Sequence, residues 1–372
     1  MSMYSETHNS SPRIIDLRSD TVTKPTPEMR DRMHAAEVGD DVMEEDPTVN
    51  LLQTRLANLF KKHEALFFPS GTMCNLCALL TWCNKRGSEV ILGDKSHIFL
   101  FEQSGAAQFG GIAFRTIQNL HDGTFSLDTL KNSIREEDIH EPTTQLICIE
   151  NTHNVCGGTV LPLEFLENLK KIGEENKLPI HMDGARLWNA ITAQGCISDP
   201  SIITRYVDSI SVCLSKGLGA PVGSVLIGSP HFIQTARRIR KALGGGMRQS
   251  GVLAAAGLQA LDDFERGILV RDHELMKELV RGLADLPFLE VPAEADIHTN
   301  ILFVNVVGGV LNADYISRRC WDNGICISAW SPTLIRMVIH RDIQPSDIQK
   351  VIEVFRRLES MTEDFDIQFK RR

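Results

Sequence analysis

The sequence predicts an α/β protein with a large domain on a mainly parallel sheet and a smaller C-terminal α+β domain. Two observations predict this. Short apolar runs alternate with helix-period segments through the middle of the chain, as strand–helix–strand units that pair in parallel do. After about Asp262 the alternation stops, and a long helix pattern leads into separate strands and a closing helix. Length agrees, since 372 residues exceed the roughly 100–200 of one domain.

The first 45 residues read as an N-terminal arm, residues 46–262 as the large domain and residues 263–372 as the small one. Strands are expected at Ala65–Phe68, Glu89–Leu92, Leu146–Glu150, Ile180–Met182, Ser209–Leu214 and Gly223–Ile227. Helix patterns lie among them at Thr48–Phe60, Leu76–Cys83, Leu163–Glu175 and Ser229–Ala242. In such sheets ligands bind at the carboxyl ends of strands. In the small domain a helix is expected at Gly267–Leu286. Strands follow at His298–Val307, Ile325–Ala329 and Leu334–His340, with a closing helix at Asp347–Leu358. The polar tail after Ser360 is expected to fray.

Apolar content of 42% and charged content of 23% are ordinary for a soluble globular protein. A formal net charge of −9 without a basic patch speaks against nucleic acid, leaving small molecules and further copies of the chain as partners. Nine scattered cysteines read as reduced thiols of a cytoplasmic protein. Cys74-x-x-Cys77 has no second pair at zinc-finger spacing, so it reads as helix packing, and no metal site is expected. The first dozen residues, MSMYSETHNSSP, lack the apolar stretch of a signal peptide and the Arg-rich pattern of a transit peptide. No apolar run reaches the roughly 18–20 residues of a membrane span.

Three features carry chemistry, each at an expected strand end. Leu66–Phe68 runs into Pro69-Ser70-Gly71-Thr72 and then a helix; free N–H groups and the helix dipole there favour an anion such as phosphate. An ordinary capped turn accounts for the same residues. Ile180–Met182 ends on Asp183-Gly184-Ala185-Arg186. A buried carboxylate needs a cation or strong hydrogen bonds, which either a pyridinium nitrogen or Arg186 could supply. Ser209–Leu214 runs into Ser215-Lys216-Gly217-Leu218-Gly219. A lysine among small residues after a buried strand suits a Schiff-base amine, although a solvated loop lysine has the same look. The spacing of these glycines, and the strand that follows them, exclude a dinucleotide fingerprint. In chain order the three features are phosphate turn, acid and lysine, the set that pyridoxal phosphate (PLP) requires.

With these residues stand longer blocks: Asp16–Thr23, Val38–Asp41, Glu45–Asn50, Glu150–Asn154, His181–Arg186, Cys213–Leu218 and Gly244–Gln249. From about Asp16 to Leu358 the chain resembles the L-threonine aldolases of the aspartate-aminotransferase-like PLP fold (fold type I). The resemblance implies that Lys216 forms the Schiff base with the cofactor and that Asp183 pairs with its ring nitrogen. Ser70, Gly71 and Thr72 hold the phosphate, and His97 stacks on the ring face. Ser19, Arg186 and Arg336 hold the substrate carboxylate, with Arg186 also beside the cofactor. Lys241 and Arg248 reach a neighbouring subunit's phosphate, and His140 lies near the substrate hydroxyl. His153 reads as structural, its block orienting the ring's surroundings through hydrogen bonds.

The implied reaction is retro-aldol cleavage of L-threonine or L-allo-threonine to glycine and acetaldehyde. His97, His140 or a water held by either is the base, and the enzyme is a cytoplasmic homotetramer. β-Elimination, hydroxymethyl transfer and a non-catalytic PLP-binding homologue are the alternatives. Two positions depart from the family pattern. Met43-Glu44 stands where many members have Tyr-Gly, which bears on loop shape. Ile339-His340 stands where Thr-His is frequent, which bears on a hydroxyl contact.

Overall fold

The computed structural model describes residues 13–309 and 311–369; the polar opening residues 1–12 lie outside the described residues. The large domain holds a seven-stranded sheet: β1 (Glu64–Phe68), β2 (Ser88–Gly93), β3 (Ala113–Ile117), β4 (Thr143–Glu150), β5 (Ile180–Gly184), β6 (Ser209–Cys213) and β7 (Ser224–Gly228). Its order is β1-β7-β6-β5-β4-β2-β3. Five neighbouring strands, β3 to β6 in that order, pair in parallel, while β7 is antiparallel to both β6 and β1.

Each of the six strands expected from apolar runs is present. β3 was not expected: it is a sheet edge whose residues are half exposed apart from Ile117, so it has no apolar run to read. β5 and β6 are buried at every position, which fits strands covered by helices on both faces.

The helices start where their caps dictate. Asp46 accepts the N–H groups of Thr48 and Val49 to open α1 (Pro47–Leu59), with Pro47 in the first turn. Ser70 caps α2 (Gly71–Trp82), which begins five residues before its apolar pattern. α3 (Leu163–Asn176) and α4 (Pro230–Ala242) lie as expected. α5 (Gly251–Glu265) is buried along most of its length and so carries little of the two-sided period that marks a helix in sequence.

The small domain contains α6 (Ile268–Leu283), β8 (Leu289–Glu290), β9 (Ile301–Val306), α7 (Ala313–Asp322), β10 (Ser328–Ser331), β11 (Leu334–Val338) and α8 (Pro345–Phe369). Its sheet is antiparallel in the order β10-β11-β9-β8. The expected strand Ile325–Ala329 divides: Ile325–Cys326 leaves the sheet to pair in parallel with Ile15–Asp16, and the chain rejoins it at Ser328. α8 continues to Phe369, past the expected fraying at Ser360.

Leu269, in the first turn of α6, belongs to the large-domain core, whereas Leu275 to Leu283 belong to the small-domain core. The arm is fastened to the small domain: Leu17 N–H donates to the Cys326 carbonyl (2.7 Å) and Val338 N–H to the Leu17 carbonyl (2.8 Å). All nine cysteines are unpaired, and Cys74 and Cys77 pack on α2 as expected. No helix among the described residues is long and apolar enough to cross a membrane.

Candidate active site

A cavity of roughly 300 Å³ opens at the carboxyl ends of β5 and β6, against the start of α2. Ser70, Gly71, Thr72, Asn75, His97, Glu102, Asp183, Cys213 and Lys216 are among its walls. At one end, Ser70 Oγ accepts the Met73 N–H (3.2 Å) and the Ser70 carbonyl accepts that of Cys74 (3.1 Å). The Gly71 and Thr72 N–H groups have no partner among the described residues, which leaves a helix N-terminus open to an anion. Gly71 must lack a side chain, because a Cβ would meet Cys213 Sγ at 2.9 Å and Ser224 Oγ at 3.4 Å.

Asp183 is 2% exposed. It accepts from Asn75 Nδ2 (3.0 Å) and from the Ala185 N–H (3.1 Å), and no cation among the described residues pairs with it. The local pair with Arg186 does not form. Arg186 forks onto Asp20 instead, at 2.8 and 2.7 Å, and its remaining Nη1 reaches Asn154 Oδ1 at 3.2 Å. Burial alone would raise the Asp20 carboxyl, but the Arg186 guanidinium outweighs it and holds Asp20 well below the usual carboxylate range. Lys216 follows β6. Thr23 Oγ1 donates to its carbonyl (2.9 Å), while its ammonium has no hydrogen-bond or ion-pair partner among the described residues.

His97 donates its backbone N–H to Glu150 Oε2 (2.6 Å), and its Nδ1 lies 2.9 Å from Glu102 Oε1. Glu150 Oε1 accepts the Asn154 N–H (2.8 Å), so one buried carboxylate braces both segments. Arg336, on β11, donates to the Arg18 carbonyl (3.1 Å) and to Asn154 Oδ1 (2.8 Å). Among the described residues its Nε is buried without a partner and no carboxylate pairs with it. Burial and the nearby Arg186 push the guanidinium down to about 10. A buried cation without a counterion is poised for an incoming carboxylate. Ser19 Oγ lies 3.4 Å from Asp20 Oδ1 and accepts the Thr21 N–H at 3.3 Å.

Six expected residues are not among the cavity's walls: Ser19, Arg186 and Arg336 belong to the network just described, and three others stand elsewhere on the chain. The His140 side chain is 82% exposed, with Nδ1 2.8 Å from Asp138 Oδ1. Lys241 lines a separate basic hollow with Val42, Arg237, Arg238, Arg240 and Gly246. Arg248 pairs with Asp40 at 2.8 Å. His153 is buried, but neither ring nitrogen has a partner among the described residues; the orienting bonds of its block come from Glu150 and Asn154.

At the two departures from the family pattern, Glu44 takes the left-handed conformation, φ 63°, and Ile339 packs in the small-domain core. Sequence reasoning missed Asp20, Asn75, Glu102 and Asn154. The available signal was a polar residue inside an apolar pattern, as at Asn75 between Cys74 and Leu76.

This frame is the fold type I frame of the solved structures below. The chain belongs to the beta-eliminating lyase family, whose model matches residues 16–307. It is 43% identical over 349 residues to a probable low-specificity L-threonine aldolase 2 of Arabidopsis thaliana, covering 93% of this chain and 97% of that one. It is 45% identical to the low specificity L-threonine aldolase of Escherichia coli K12, covering 91% and 97%. The structure of a Leishmania major threonine aldolase superposes with a TM-score of 0.78 at 20% identity, covering 93% and 99%. SPT with its PLP internal aldimine gives 0.72 at 18% identity, covering 92% and 86%. These two structural likenesses concern the fold alone.

Proposed function

We propose that this chain is a PLP-dependent aldehyde-lyase that cleaves L-threonine and L-allo-threonine to glycine and acetaldehyde. The observation that carries the reading is the convergence on one cavity of Lys216, the cation-free carboxylate Asp183 and the open first turn of α2. The aldolase relatives named above support the substrate.

The residues present fit PLP. The Gly71 and Thr72 N–H groups, beside Ser70, suit its phosphate, and buried Asp183 suits a protonated ring nitrogen. His97 supplies a planar ring at the wall, and Lys216 an unpaired amine. Bound there, the cofactor supplies an aldehyde for the substrate amine and a ring that draws off the electron pair of the breaking Cα–Cβ bond.

The protein's own residues do the rest. Lys216 Nζ would hold the cofactor's aldehyde, and Asp183 would keep a proton at its ring nitrogen. Arg336 grips the substrate carboxylate with Ser19 and with Arg186, whose share is limited to Nη1 because Asp20 occupies its other edge. That grip sets the direction of the Cα–Cβ bond. His97, or His140 from a second copy, takes the β-hydroxyl proton directly or through a water. Acetaldehyde leaves, and a proton returned to Cα gives glycine.

The active unit in this proposal is a cytoplasmic homotetramer. It is supported by Lys241, Arg248 and His140 lying outside the cavity of their own chain, and by nine unpaired cysteines. The family description favours a second reading, β-elimination. Purified protein with added PLP and L-threonine separates the two: glycine and acetaldehyde are expected, whereas 2-oxobutyrate would overturn the aldol reading.

A further inference from the structure

We infer that Glu102 is a positioning residue for the reaction, fixing His97 by Nδ1 and tying it through Asn75 to Asp183. The inference rests on the reading of this cavity as the cofactor site. Glu102 is 6% exposed. Its Oε1 lies 2.9 Å from His97 Nδ1 and accepts from Asn75 Nδ2 at 2.8 Å. The same Asn75 nitrogen donates to Asp183 Oδ2.

The orientation of Asn75 is determined by its surroundings. Its Oδ1 accepts from Ser211 Oγ (2.6 Å) and faces His181 Nε2 (3.3 Å). A flipped amide would set its oxygen against two carboxylates. Because Nδ2 donates to Glu102 Oε1, that oxygen is an acceptor, and His97 must present Nδ1–H to it. Nε2, which has no partner among the described residues, is then the nitrogen free to exchange protons in the cavity. Two carboxylates on one amide disfavour each other's charge; burial and Asp183 hold the Glu102 carboxyl above its ordinary value, opposed by its bond to His97. His97 thus partners Glu102 and leaves Asp183 for the cofactor ring, so the face group and the ring-nitrogen group are set by one chain of hydrogen bonds.

The groups around His97 are Glu102, Asp183, Lys216 and Glu150, the last at its backbone N–H. Burial and Lys216 favour the neutral imidazole, but the Glu102 bond and Asp183 outweigh them, and His97 is raised above its ordinary value. Removing the Glu102 charge therefore lowers its midpoint.

The test is Glu102→Gln in the holoenzyme, with Glu102→Asp as the conservative rescue. The His97 ring signals are followed by NMR in histidine-labelled protein and assigned with His97→Asn. We expect the His97 midpoint to fall in Glu102→Gln and to recover in Glu102→Asp. We expect kcat to drop about 10–100-fold, the usual cost of losing a group that orients a reactive one, with KM for L-threonine nearly unchanged because the arginines are untouched. An unmoved midpoint overturns the inference. So does a parallel fall of kcat, cofactor affinity and melting temperature that Glu102→Asp fails to rescue, since that marks a purely structural role. The midpoint is read without substrate, so a wild-type protein lacking aldolase products would sink the functional reading and leave this one standing.

Discussion

At the residue scale the site depends on charges that lack partners until ligands arrive. Lys216→Ala removes the only amine among the described residues of the cavity walls, so the visible absorbance of bound PLP should disappear; a retained band would refute its role. Arg336 is the buried guanidinium without a carboxylate, so Arg336→Ala should raise KM for L-threonine at least tenfold. That corresponds to the 1.5–3 kcal/mol or so of a charge-assisted hydrogen bond, and steady-state kinetics with a thermal-melt control would check it. Lys216, Asp183 and Gly71 were legible in the sequence because each closes a buried strand or opens a helix, and that position dictates its surroundings. Asp20 was not. Whether Arg186 pairs with Asp183, three residues away, or with Asp20, 166 positions away, depends on where the arm is fastened, and no local pattern records that.

At the element scale the first turn of α2 and the second turn of α6 are the sensitive places. Gly71→Ala would drive a methyl into Cys213 Sγ, where a Cβ has 2.9 Å. The helix start must then shift, and PLP affinity should fall severalfold in a titration of apoenzyme, while Thr72→Ser stays near wild type. Asp272 on α6 is fully buried, and both its carboxylate oxygens lack partners among the described residues. Burial pushes it up to about 8. Between the ordinary carboxylate range and pH 8 the folded protein holds this proton and the unfolded chain releases it, so stability declines as pH rises through that window. Asp272→Asn cannot ionise. Its melting temperature should exceed wild type more at pH 8 than at pH 5.5, and equal differences at both would show that Asp272 does not titrate there. The strands of this sheet were readable wherever they were buried on both faces. The half-exposed edge strand Ala113–Ile117 and the buried helix Gly251–Glu265 escaped because periodicity reports contrast between two faces, and neither element has the contrast its class shows.

At the scale of the whole molecule a single chain is not a complete site under the proposed function. If Arg248 serves a neighbouring copy, Lys216→Ala and Arg248→Ala proteins should each be impaired alone. They should regain activity when unfolded together and refolded, because mixed oligomers contain one intact combination. No recovery would place Arg248 in its own chain's service. The two-domain plan was legible from the change of pattern near Asp262. Its coupling was not, because α6 gives its first turn to one core and its remainder to the other.

The backbone bonds of Leu17 to Cys326 and Val338 bear on how the molecule is made. Translation produces the Ser19–Asp20 segment roughly 320 residues before Arg336. At 5–20 residues per second that is an interval of about 16–64 s. Once Gly228 is made, the large sheet already carries Lys216 and Asp183, while the early segment still waits for the strands that will clamp it. A message cut short before the codon for Leu334 would therefore encode the lysine and the acid of the pocket without Arg336.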